Sequence, residues 1–332
     1  MARIKDVAAL AGVNRSTVSR IINGEGKFRE ETRQKVEQAM AELNYRPSAI
    51  ARSLATSSSN MMGLLVTYYT GGFFGAMMEQ VQNELDTHAK FLITAQGHHS
   101  KEGERDAVER FHALRCDGYI LHSRHLTDED ICQLAQQHPP FVLLDRVIPS
   151  LEERCIRFNH HKASSMAVQH LLQQHHRLIG CITGPTWREN SLQRKQGYLD
   201  TMAAAQVSVP QSWCEEGNYG SQSGYDATKA LLTRHPELTA IFSCSEEMTV
   251  GAMQYLHEHG LKVPEDISIV SFDSVERCNE LYPAVTSVCF PINDMAQSAV
   301  QVLMDLIAGK EVGQLHEFTP KLVIRKADRA LI

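Results

Sequence analysis

A chain of 332 residues is longer than one ordinary domain, and a hydrophobic share of 43% is enough to build a substantial core. No apolar run reaches the roughly 18 residues that a membrane span needs. No secretory core follows the opening MARIKDVAAL, so export and membrane insertion are set aside and a cytoplasmic location is expected. The net charge of −6 is unevenly spread, with ten Lys and Arg against six Asp and Glu in residues 1–58, leaving −10 for the rest. A basic head on an acidic body suggests that only the head approaches a polyanion.

The first predicted element is a helix over 4–11, where Ile4, Val7, Ala8 and Ala11 share a face. Gly12 suits a left-handed turn and Asn14 suits capping of the next helix, 15–22, whose buried side is Val18, Ile21 and Ile22. A third helix runs from 30 to about 43, with Val36, Ala39, Met40 and Leu43 as its core stripe. Three short helices with a glycine turn between the first two read as a helix-turn-helix. A short helical stretch over 48–55 follows Pro47, with Ser48 as its N-cap, and 56–60 reads as a flexible linker.

Beyond residue 60, apolar runs at 62–67, 91–95, 118–122, 141–145, 178–183, 240–244 and 267–273 alternate with amphipathic helices. The helices include 75–89, 101–115, 162–175, 191–205, 221–234 and 247–259. Continuous apolar strands between helices predict parallel sheets covered on both faces. The length is more than one sheet needs, so two α/β lobes are expected, with a ligand cleft at the strands' carboxyl ends. The eight cysteines form no CxxC pair and the sixteen histidines no HExxH, so neither a metal nor another cofactor is expected.

The run IKDVAALAGVNRSTVSRIING, followed by NYRPSAIARSL, resembles the LacI/GalR family of transcriptional regulators. FFGAMMEQV, RCDGYILH, RKQGY, VGAM, VPEDISIVSFD and KLVIRK continue the resemblance in order along essentially the whole chain, and FFGAM and RCIRF are most like its galactose-repressor branch. The fold implied is a helix-turn-helix head and hinge helix joined to a two-lobed core like a periplasmic binding protein. The expected division is 1–46 for the head, 47–60 for hinge and linker, and 61–332 for the effector-binding and dimerisation core. Lobe 1 would hold about 61–158 and 289–318, and lobe 2 about 159–288 and 319–332.

Groove geometry gives the head's residues their roles. The second helix enters the major groove, where its first turn presents Arg15, Ser16 and Ser19 to base edges and phosphates, Arg15 can pair with guanine and Thr17 suits phosphate, while by resemblance Arg20 also faces bases. The resemblance adds Asn23, and in the hinge helix Ser48, Ala51, Leu54 and Ala55. Leu54 stands where the family wedges a leucine into the central base step.

A hydroxyl-rich ligand needs carboxylates and amides, an arginine and aromatic faces. By resemblance the effector positions are Phe73, Phe74, His122, Asp145, Phe158 and Asn190, continuing with Arg194, Tyr219, Ser245, Asp273 and Phe290. The expected function is repression of sugar-utilisation genes by a homodimer on a near-palindromic operator, released by a galactoside- or glucoside-like sugar. The chain departs from the family at Gly71-Gly72, where Asp-Pro is usual, at Ser245-Glu246, where Asn-Asp is usual, and at Ser274. These departures leave open which sugar or sugar phosphate is bound, and the operator sequence and the sign of the response stay open too. The alternatives are a sugar-processing enzyme and a sugar-binding protein without a DNA role. No GxSxG, phosphate loop or GxGxxG follows a strand to favour the enzyme.

Overall fold

The computed structural model describes residues 2–22, 26–46, 58–273, 277–313 and 316–331, apart from the side chain of Asp273. The helix expected over 48–55, with Ser48, Ala51, Leu54 and Ala55, lies outside the described residues, as does Asn23.

Three helices form the head because each has an apolar stripe that only the others can cover. These are α1 (Ile4–Ala11), α2 (Arg15–Ile22) and α3 (Glu30–Glu42). Val7, Ala8, Ala11, Val18, Val36 and Ala39 are buried together, ringed by residues that include Ile21, Ile22, Met40 and Leu43. At the start of α1 the Asp6 carboxylate accepts from Arg3 N at 2.8 Å. Gly12 ends α1 with φ 67°, the left-handed conformation that a side chain would strain, and its N–H returns to the carbonyls of Ala8 and Ala9. The Asn14 carbonyl starts α2 by accepting from Thr17 N and Val18 N at 2.9 and 3.2 Å.

The core begins with β1 (Met61–Val66), α4 (Gly72–Thr87), β2 (Phe91–Gln96), α5 (Lys101–Ala113) and β3 (Gly118–Leu121). It continues with α6 (Asp128–Gln137), β4 (Phe141–Leu144) and β5 (Cys155–Phe158). A second series follows: α7 (His160–Gln173), β6 (Ile179–Thr183), α8 (Glu189–Ala204), β7 (Cys214–Glu216), α9 (Ser221–Arg234) and β8 (Ala240–Ser243). It ends with α10 (Glu246–Glu258), β9 (Ser268–Asp273), α11 (Arg277–Glu280) and β10 (Thr286–Cys289). The chain then adds α12 (Ile292–Ile307), β11 (His316–Phe318) and β12 (Lys321–Val323).

Two six-stranded sheets result, ordered β11-β5-β4-β3-β1-β2 and β12-β10-β9-β8-β6-β7. Leu64 lies opposite Ile120 in the first and Ile241 opposite Ile269 in the second, both in parallel pairs. β12 alone runs antiparallel to its neighbour among the described pairings, with Ser287 opposite Val323. The central strands MMGLLV, FVLL and IGCIT are buried almost throughout, because helices cover both faces of each sheet. The chain passes between the sheets three times, after β5, after β10 and after β11.

The seven expected strands form within a residue or two of their predicted bounds. β12 falls on the KLVIRK segment, and the structure adds β5, β7, β10 and β11, whose sequences CIRF, CEE, TSVC and HEF are too short or too polar to stand out as apolar runs. α4, α7 and α8 begin two or three residues before the apolar periodicity does, and the first turns of α4 and α8 face the cleft rather than the core.

α9 and α10 cross where glycine removes the side chain from both. A Cβ on Gly251 would lie 1.8 Å from the Ser221 carbonyl oxygen, and one on Gly224 2.0 Å from that of Met248. Gly251→Ala is therefore expected to destabilise the protein by about 3 kcal/mol or more, through forced separation of packed backbone. Gly75→Ala in α4, where a Cβ meets nothing within 4 Å, should be neutral or stabilising by up to about 1 kcal/mol. Urea unfolding of the two variants checks the contrast; equal effects would contradict the packing account.

Candidate functional site

Each sheet has a neighbour order whose winding reverses once: β2-β1-β3-β4-β5 in the first and β7-β6-β8-β9-β10 in the second. In such sheets a crevice opens at the carboxyl ends of the two strands where the winding reverses. Here those ends carry Thr67, Tyr68 and His122 in one lobe, and the loops leading to Arg188 and Ser245 in the other. Together they enclose a cavity of about 550 Å3, within the range of small-molecule sites.

The first lobe supplies Tyr68, the α4 start with Phe73 and Phe74, the strand-end His122, and Arg124 and Asp145. The second supplies Arg188, Asn190 and Arg194 at the start of α8, and Asn218 and Tyr219 before α9. Ser245, Glu246 and Glu247 open α10, and Phe272 and Phe290 complete the wall. Ser245 caps its helix, its hydroxyl accepting from Met248 N at 3.2 Å.

A chain of polar contacts runs through this wall from one lobe to the other. Arg124 donates from Nη2 to Asp145 Oδ2 at 2.5 Å and from Nη1 to the Asp145 carbonyl at 2.8 Å. The other Asp145 oxygen accepts from His160 Nε2 at 2.8 Å, while Arg194 Nε donates to His160 Nδ1 at 3.1 Å. Arg194 Nη1 also donates to the Cys244 carbonyl. A guanidinium only donates, so His160 Nδ1 is an acceptor and its proton sits on Nε2, facing the carboxylate. The same argument gives His122 the opposite tautomer. Its Nε2 accepts from Arg124 Nη2 at 2.8 Å, and its Nδ1 donates to Thr67 Oγ1 at 2.9 Å.

The electrostatics follow from these contacts. Burial alone would raise the Asp145 carboxyl, but His160 and the Arg124 guanidinium outweigh it and hold the group well below the usual carboxylate range. Burial pushes both imidazoles down, His122 further helped by Arg124 and His160 by Arg194, so both are neutral near pH 7. Arg124 is aimed by a buried carboxylate behind it. Glu104 accepts from Arg124 N, His125 N and Leu126 N at 2.8, 3.1 and 3.0 Å, fixing the loop after β3.

Aromatic rings form the apolar side. Phe73 meets Phe74 and Phe290 edge-on, each at 5.0 Å. Arg194 lies over Phe272 at 4.0 Å. Tyr219, in a left-handed conformation at φ 68°, bonds Ser191 Oγ at 2.5 Å.

Nine of the sequence-predicted effector positions line this cavity: Phe73, Phe74, His122, Asp145, Asn190, Arg194, Tyr219, Ser245 and Phe290. Phe158 does not; it is fully buried behind Phe290, with ring centroids 4.4 Å apart, and supports the wall from within. Asp273 ends β9 beside the cavity residue Phe272, and its side chain lies outside the described set. The sequence reading did not pick out Tyr68, Arg124, Arg188, Asn218, Glu246, Glu247 or Phe272 as cavity residues. Arg124 and Arg188 carried a usable signal, because each sits a few residues past a strand's carboxyl end.

In the head, Arg15, Ser16 and Arg20 are exposed on α2, and Thr17 and Ser19 are half-buried beside them. Arg20 is steadied over the Phe28 ring at 5.5 Å. An exposed first turn with a basic side chain suits major-groove reading.

Comparison with known proteins decides between the open readings. Residues 3–48 match the family described as bacterial regulatory proteins, lacI family, and residues 168–327 match the periplasmic binding protein-like domain. The chain is 35% identical over 326 residues to the HTH-type transcriptional regulator GalR of Escherichia coli K12, covering 98% of this chain and 95% of that one. It is 33% identical to GalS of Salmonella typhimurium, covering 98% and 96%. The crystal structure of the lac repressor dimer bound to operator and the anti-inducer ONPF superposes with a TM-score of 0.90 at 28% identity, covering 99% of each chain. These relatives are regulators and not enzymes. The chain belongs to the lacI family of bacterial regulatory proteins and is a DNA-binding transcription regulator.

Proposed function

We propose that the protein is a cytoplasmic homodimeric repressor of sugar-utilisation genes, released from a near-palindromic operator by a small sugar held between its lobes. The division of labour is residues 1–46 for operator reading, 47–60 for hinge and linker, and 61–332 for effector binding and dimerisation. The two lobes are residues 61–158 with 289–318, and 159–288 with 319–332. Arg15, Ser16, Thr17, Ser19, Arg20 and Asn23 contact the major groove and its phosphates, and Ser48, Ala51, Leu54 and Ala55 the minor groove. The observation that carries the effector half of this reading is the polar chain Arg124–Asp145–His160–Arg194. Its members line or back the cavity and belong to both lobes. A ligand that exchanges hydrogen bonds with it alters how the lobes are held, and a tenfold change in operator affinity requires only about 1.4 kcal/mol of such coupling. Asn190 Oδ1, buried and without a partner among the described residues, supplies an acceptor for a ligand hydroxyl.

Arg194→Ala is expected to weaken effector binding by about 10- to 100-fold, the loss of charged hydrogen bonds in a buried site. Operator binding without effector should stay within a few-fold. Gel shifts across a galactoside and glucoside series measure both; release of DNA by the variant at the wild-type sugar concentration would move the effector site elsewhere. Leu54→Ala should cost specific operator binding a few kcal/mol, the scale of base-step unstacking, and leave binding to random duplex nearly unchanged. Equal losses on the two DNAs would remove the wedge from the mechanism. Light scattering should give twice the chain mass, matching two heads on two half-sites; a stable monomer or tetramer would contradict it.

A further inference from the structure

Three arginines line the effector cavity, and they are not matched alike. Arg124 is neutralised by Asp145. Arg188 is only 7% exposed, yet among the described residues no carboxylate lies within ion-pair distance of it. Its one hydrogen bond there is from Nη2 to Tyr68 OH at 3.1 Å, and its Nε is buried with no partner. The guanidinium is held among aromatic rings, 4.8 Å from the Trp187 centroid, 5.5 Å from Tyr219 and 5.7 Å from Tyr68. Rings orient such a group and favour its charge without using its N–H donors. Arg194, also buried, lies 5.8 Å from the same Tyr219 ring and, among the described residues, bonds only neutral groups, His160 and the Cys244 carbonyl. Two desolvated cations thus share one aromatic neighbour.

A buried cation with unused donors is costly unless an anion meets it. The described carboxylates that line the cavity have other partners. Asp145 is taken by Arg124 and His160, Glu247 pairs with Arg277 at 3.5 Å, and Glu246 is engaged in contacts of its own. Arg188 also stands at the N-cap of the sixteen-residue α8, whose first-turn amides receive no side-chain cap and add positive potential. Asn190 in that first turn offers an unpartnered acceptor, which an anion cannot satisfy and a hydroxyl can.

We propose that the effector is an acidic sugar whose anionic group, a phosphate monoester or a carboxylate, is received by Arg188 with Arg194 alongside. This rests on the sugar-effector reading above and narrows it to a charge class. A planar guanidinium can meet either group through paired N–H donors. The cavity's other polar groups serve the sugar hydroxyls.

The test is calorimetric titration of the full-length protein with galactose and glucose, their 6-phosphates, galacturonate and glucuronate, and inorganic phosphate alone. At least one anionic sugar should bind about tenfold or more tightly than its neutral parent, and which one wins identifies phosphate or carboxylate as the source of the charge. Arg188→Gln should remove that preference, so that on this variant the anionic sugar binds no more tightly than its neutral parent, while Arg188→Lys should retain part of it. Neutral hexoses binding as tightly as their anionic forms would overturn the anion assignment and leave the sugar-effector reading standing. Binding of inorganic phosphate with no gain from the attached sugar would likewise overturn it. Failure of every sugar to bind would bring down the effector reading itself. The comparison of ligands on the unmodified protein stands even where a variant does not fold.

Discussion

The cleft depends on one buried carboxylate. Asp145 follows β4 in a left-handed backbone conformation, φ 58°, which costs a non-glycine residue of the order of 1–3 kcal/mol and persists only where surroundings over-determine it. They do so here. Its N–H donates to the Ile156 carbonyl at 2.7 Å, one carboxylate oxygen is held by Arg124 and the other by His160. An ion pair in such a place is weak evidence of stability as such, since desolvation cancels much of the attraction. Removal of either partner, however, leaves an uncompensated charge at a cost of about 3–5 kcal/mol. The pair is therefore best understood as fixing an arrangement.

What it fixes is a connection between lobes made of polar contacts. Asp145 and Arg124 belong to the first sheet's loops, and His160 and Arg194 to helices of the second. Between hydrocarbon surfaces a small polar ligand would find nothing to exchange with. Between charged donors and acceptors it can replace one hydrogen bond by another, each worth about 1.5–3 kcal/mol where a charge is involved. Two or three exchanges are enough to move a two-state equilibrium by orders of magnitude. The neutral, oppositely tautomeric His122 and His160 make the exchange selective. Each presents one fixed donor and one fixed acceptor, and neither gains a proton near neutral pH.

The head was legible in the sequence because its helices are local. Apolar residues at helical spacing, a glycine where the chain must turn left-handed, and an exposed basic first turn specify the motif within about forty residues. The long buried strands were legible for the same reason. The site was only partly so. His122 and Asp145, picked out by resemblance, also fit the rule that strand ends face the cleft. Arg124 and Arg188 are marked in sequence only by standing a few residues past a strand's end, His160 looks like one of a surface histidine pair, and it is the meeting of the two lobes that buries them. Phe158 shows the converse limit. An aromatic residue near a cleft can be recognised as such, but whether it forms the inner layer or the exposed one depends on a packing depth that composition does not encode.

The repeated winding order adds a last constraint. Because both sheets reverse at the strands that open the cleft, each lobe presents its own switch point, and the two face one ligand. Direct contacts already cross the gap, from Arg188 to Tyr68 and from His160 to Asp145. A ligand that inserts between these pairs must give each group a bond at least as good as the one it breaks. A ligand that adds to them holds the same arrangement more firmly. Total affinity does not distinguish the cases, since a ligand with equal affinity for two lobe arrangements shifts nothing. The few residues that bond across the gap are thus where a ligand can favour one lobe arrangement over another. Substitution at the rim, as in Gly71-Gly72 and Ser245-Glu246, can change what is recognised without disturbing the buried carboxylate on which the arrangement rests.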